Sequence, residues 1–175
     1  MQGIFSPPMT SPHSNDPSTM TEQPSTRVWR QRASRVAFGY LVLCAIEGTV
    51  RGAIHMLAPD GGAHSIAGLS VDGEGGRNVI AIFGQWGAVQ LMLAVIYWAV
   101  ILRHRQLVTL MLWVIALDQL LRWFEGQIKP LVVSAPPPGA WATWIMGPLS
   151  VLALMLAIWG ARGARQLETQ RETPR

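Results

Sequence analysis

Two stretches of this chain, 79–102 and 141–161, run the width of a lipid bilayer without one Asp, Glu, Lys or Arg. A helix needs about 20 apolar residues to cross a hydrocarbon core of about 30 Å, at about 1.5 Å per residue. Helices of a soluble bundle would carry a polar stripe facing water, and these have none. Two more apolar stretches, 36–57 and 107–124, have similar length. Composition agrees. Only 14% of the 175 residues are charged, where soluble chains average about 25%. These features predict an all-α, four-helix transmembrane bundle.

The segments between the apolar runs read as ends and turns. Residues 1–26 are rich in Pro, Ser and Thr and bury little, so they predict a disordered tail. They lack both the basic and the apolar region of a cleaved leader. Residues 27–35, RVWRQRASR, form a basic juxtamembrane segment, 36–163 the membrane domain and 164–175 a polar cytoplasmic tail. Pro59 and Asp60 stop the first helix. Gly61, Gly62, Gly73, Gly75 and Gly76 then suggest a flexible loop without calcium-loop spacing. Arg103, His104 and Arg105 make a short turn, Pro130 ends the third helix, and prolines 136–138 stiffen the approach to the fourth. Trp98, Trp113 and Trp159 fall toward one membrane face, and Trp123, Trp141 and Trp144 toward the other, as two aromatic belts do.

Basic residues set the expected orientation. One side would hold Arg27, Arg30, Arg32, Arg35, Arg103, Arg105, Arg162, Arg165, Arg171 and Arg175; the other holds only Arg77 and Lys129. Positive loops stay cytoplasmic, so both termini are expected inside, in a bacterial cell membrane. The formal charge of +4 then serves topology rather than nucleic-acid binding. Arg27, Arg30, Arg32, Arg35, Arg103 and Arg105 would meet anionic headgroups, each for about 1 kcal/mol.

Against this background a few residues stand out. An ionised side chain at mid-bilayer costs about 2.5–3.5 kcal/mol on insertion scales. The first helix carries Glu47, Arg51 and His55 on one face, continued by Tyr40 and Cys44. The third carries Asp118, Arg122 and Glu125 on one face, and the second carries Gln85 and Gln90. The fourth offers only Thr143 and Ser150. Given the direction of each helix, these groups fall at similar depth, in the outer half. A polar pocket of Glu47, Arg51, His55, Gln85, Gln90, Asp118 and Arg122 is expected there, closed below by apolar residues. Two acids and two arginines cancel, so the set can be neutral, with pairing along or between helices. Such pairs can fix helix register or form a ligand or proton site.

Other motifs are few. Gly48 and Gly52 form a GxxxG, and Gly84 with Ala88 a second small pair, read as packing inside the bundle rather than dimerisation. The lone Cys44 excludes a disulfide and any multi-cysteine metal site, and reads as a small core residue. His55 and His104 fall at opposite membrane faces and cannot share a haem. With no di-iron, zinc-protease, dinucleotide or phosphate-loop motif, no metal or cofactor is expected.

The stretch 77–147 resembles small four-helix bacterial membrane proteins of the DoxX-like kind. The residues that carry the resemblance are RNVIAIFGQWGAVQL, DQLLRWFEGQIKPL and the PPG before the fourth helix. The resemblance implies a four-helix bundle, in a group some of whose members are linked to quinone or respiratory chemistry. It carries no catalytic motif onto this chain.

Three functions follow as expectations. The first is binding of a small amphipathic ligand, or of a protein partner or second copy, through the outer-half pocket. The second is acid–base chemistry on a lipid-soluble substrate such as a quinone, sterol-like or isoprenoid molecule, with Glu47 or Asp118 as acid or base. The third is a structural or accessory role for the paired charges alone. A proton path is disfavoured, because the inner half has no polar residues to continue it.

Overall fold

The computed structural model describes residues 24–133 and 135–172, with side chains placed for 28–133 and 135–162. Most of the expected tail over 1–26 lies outside the described residues. Four helices make up the described chain: α1 (Pro24–Leu57), α2 (Gly73–Leu102), α3 (Val108–Ile128) and α4 (Pro138–Glu172). A single 3-10 turn, Arg105–Leu107, leads into α3. No strand occurs among the described residues. Each helix contains a span long and apolar enough to cross a bilayer.

The helices outrun the apolar stretches that announce them. α1 starts at Pro24, well before Val36, so the basic juxtamembrane segment 27–35 is helical and continuous with the apolar run. α2 starts at Gly73, ahead of its apolar run. Hydropathy marks where lipid begins, whereas backbone hydrogen bonding continues until a residue or turn stops it. Pro59 and Pro130 mark two of those stops, just beyond the ends of α1 and α3.

The glycine-rich loop after α1 is built rather than loose. The Asp60 carboxylate accepts hydrogen bonds from the backbone N–H groups of Gly62, His64 and Ser65, at 2.9, 3.1 and 2.7 Å. These bonds, led by that of Ser65, hold the Asp60 carboxyl well below the usual carboxylate range. Gly61 and Gly62 take φ of 59° and 75°, which glycine adopts without a Cβ penalty.

Packing order differs from chain order. α1 packs against both α2 and α4, and α4 packs against α3. α2 and α3 follow each other in sequence across a short turn, yet touch only sparsely. Glycines set the α1–α2 crossing. A Cβ at Gly87 would stand 2.6 Å from Met56 N and 2.8 Å from the Gly52 carbonyl oxygen. Gly52 therefore serves a crossing inside the bundle.

The apolar core lies toward the end where α1 begins and α4 ends. Leu41 of α1 and Leu112 of α3 are fully enclosed, with Val100, Ile101, Leu154 and Ala157 around them. Outward faces carry Met92, Val95, Leu120, Leu121, Leu152 and Met155. A soluble bundle would cover such apolar surface; a bilayer accommodates it. Side-chain bonds also tie helix to helix around this core. Tyr40 Oη donates to the Met146 carbonyl at 3.0 Å, two residues before Pro148, which lies inside α4. Trp98 Nε1 donates to Thr49 Oγ1 at 3.1 Å.

Candidate functional site

Above the apolar core the four helices diverge around a small cavity of about 50 Å³. A cavity needs about 10–15 Å³ of such space to hold a water, so this one admits a few waters or one small polar group. Glu47 and Arg51 of α1, Gln90 of α2, and Asp118, Gln119 and Arg122 of α3 line it. Ala142, Thr143 and Met146 of α4 close the remaining side, with Cys44 and Tyr97 below.

The charges are satisfied helix by helix. Arg51 Nε lies 3.1 Å from Glu47 Oε1, one turn back along α1. Arg122 Nε donates to Asp118 Oδ2 at 2.7 Å, one turn back along α3. The pairing is thus intrahelical, which i, i+4 spacing favours because the two side chains already share a face. The same Arg51 Nε donates across to Gln90 Oε1 at 2.8 Å and so joins α1 to α2.

That bond leaves the other half of the Gln90 amide without a partner. Gln90 is only 4% exposed, and its Nε2 has no hydrogen-bond acceptor among the described residues. Gln119 Oε1, across the same cavity, has no donor. A buried polar atom left unpaired costs about 1–3 kcal/mol. Gln90 and Gln119 thus line the cavity with one enclosed, unused donor and one enclosed, unused acceptor beside the two ion pairs.

An indole caps the group. The Arg51 and Arg122 guanidiniums both lie against Trp86 of α2, at 5.7 and 5.1 Å from its ring centroid. His55 stacks on Trp86 with centroids 4.8 Å apart. His55 Nδ1–H donates to the Gly61 carbonyl oxygen at 2.7 Å.

The structure thus brings together Glu47, Arg51, Gln90, Asp118 and Arg122. It does not bring in every expected residue. His55 is buried beneath the loop after α1 and lines Trp86, not the cavity. Gln85 is exposed on another face of α2, one position away from the row of Trp86 and Gln90. Glu125, which shares the Asp118 and Arg122 face but was not expected in the pocket, is exposed near the end of α3. Trp86 and Gln119 are the residues that sequence reading passed over. Trp86 stands one turn before Gln90, so its spacing placed it on the same face. Gln119 adjoins Asp118, and no spacing rule distinguishes it from a lipid-facing residue.

No family model, curated protein or solved structure matches the chain.

Proposed function

We propose that this is a multi-pass protein of the bacterial cell membrane, with both termini cytoplasmic, that binds a small amphipathic ligand by its polar head. The head would enter the cavity, taking the Gln90 amide as donor and the Gln119 carbonyl as acceptor. The apolar part would lie along the thinly packed side between α2 and α3. The observation that carries this reading is the buried, unpartnered Gln90 Nε2 beside two arginines. Kinship with DoxX-like bundles belongs to the same proposal and rests on the stretches quoted above.

The acid–base alternative has less support. Glu47 and Asp118 are each ion-paired with an arginine one turn along the helix. A proton path has less still, because the apolar core around Leu41 and Leu112 stands between the cavity and the Arg-rich end. A purely structural role accounts for the ion pairs but leaves the Gln90 and Gln119 amides unexplained.

The test is mass spectrometry of small molecules retained in a mild detergent, comparing wild type with Gln90→Leu. Leucine fills similar space without a donor. A discrete species lost in the variant, with thermal stability kept, supports binding. Identical retained species in both proteins, or none in either, would overturn it.

A further inference from the structure

On the other side of the apolar core, a second and larger cavity of about 420 Å³ opens between Ser34 and Phe38 of α1, the turn into α3, and Ala157 and Ala161 of α4. We propose that it is a specific site for the phosphodiester headgroup of an anionic membrane lipid, separate from the central cavity. Arg35 of α1 and Arg105 of the 3-10 turn both line it. The Arg105 guanidinium lies over the Phe38 ring, 4.8 Å from its centroid. Stacking there leaves its hydrogen-bonding edge available to an oxyanion. Neither arginine forms an ion pair with a carboxylate among the described residues. The described acidic side chains lie around the central cavity, in the loop after α1, or near the far ends of α2 and α3. Two cations thus share a cavity whose lining contains no Asp or Glu. Ser34 and Thr109 add hydroxyl groups to the same wall.

The surroundings select a lipid over a free phosphate. Apart from Gln106, the rest of the wall is apolar, with Ala37 and Phe38 of α1, Val108 of α3 and Ala157 and Ala161 of α4. The apolar spans begin or end at this level, at Arg105 and Arg162. A phosphate held by Arg35 and Arg105 would leave its acyl chains level with the hydrocarbon. Basic pockets between helices at a cytoplasmic boundary recognise anionic headgroups in this way. The site differs from diffuse attraction because it uses two arginines and a shaped cavity rather than the summed charge of this face.

The test uses the full chain in a zwitterionic detergent, titrated with phosphatidylglycerol and with phosphatidylcholine of identical acyl chains, read by native mass spectrometry. The expected result is binding of phosphatidylglycerol roughly tenfold tighter or more, as two charge contacts imply. That preference should vanish in the Arg35→Gln/Arg105→Gln double variant. It should persist in Arg103→Gln, which removes a charge from the same turn but does not line the cavity. Ala161→Leu narrows the cavity without touching charge and should also abolish the preference, so a misfolded double variant does not end the test. Equal loss in Arg103→Gln, or an unchanged preference in Ala161→Leu, would overturn the site. So would competition by inorganic phosphate at the lipid's own concentration, which would mark a site for a free anion.

Discussion

Trp86 and Arg122 join two helices that otherwise scarcely meet. The guanidinium lies 5.1 Å from the indole centroid and is the side-chain bridge from α3 to α2 beside the central cavity. A cation over an indole contributes about 0.5–1 kcal/mol when exposed and about 2 kcal/mol when desolvated. A double-mutant cycle on Trp86→Leu and Arg122→Gln, by reversible unfolding in mixed micelles, is expected to give a coupling of about 1 kcal/mol. Strict additivity would show that the two side chains are merely neighbours.

The ion pairs make a second prediction. Glu47→Gln leaves Arg51 without its countercharge at membrane depth and is expected to lower stability by about 2–3 kcal/mol. Adding Arg51→Gln should restore much of that loss, because the isolated charge is then gone. A double variant less stable than Glu47→Gln would assign Arg51 a packing role instead.

The α1–α2 crossing is expected to reject bulk at one position. Gly87→Val drives its side chain into Met56 N and the Gly52 carbonyl, and should cost about 1–3 kcal/mol or more. Gly126→Val places its side chain where the structure has nothing within 4 Å. It should show only the difference in helix propensity. Thermal unfolding of the two variants separates crowding from the general effect of replacing glycine.

The loop after α1 gives a pH prediction. A carboxyl depressed in the folded state contributes stability above its unfolded pKa, and loses it as pH falls through the folded value. For Asp60 that loss lies below the ordinary carboxylate range, near 4. The Gly62 and Ser65 amides should thus stay protected from hydrogen exchange when the medium is taken from pH 7 to pH 4. Asp60→Ala, which removes both acceptor oxygens, should expose both at either pH. Protection lost by pH 4 in the wild type would mean that other contacts hold the loop.

Much of the fold was legible because apolar length is a strong signal. The charge-free runs 79–102 and 141–161 placed α2 and α4 without any pairing argument. Residues on one turn were equally legible: Glu47 with Arg51, and Asp118 with Arg122, follow from spacing alone. The neighbour order was not. A short turn between α2 and α3 suggests that they pack together, whereas Gly52 and Gly87 commit α1 to α2 and leave α3 to α4. His55 was expected in the pocket because it continues the face of Glu47 and Arg51. The Gly61 carbonyl claims it instead, and that depends on the path of a loop that periodicity does not describe. The unused halves of Gln90 and Gln119 needed atomic placement, since a sequence does not say which hydrogen bonds are left over.

Because α3 finds its main support in α4, the bundle cannot finish assembling until its last helix has been synthesised and inserted. Until then α3 must wait in the lipid with Asp118 and Arg122 aboard. Their bond along a single helix lets the segment leave the insertion machinery carrying a neutral pair, so the same salt bridge that lines the cavity also makes the order of biogenesis tolerable.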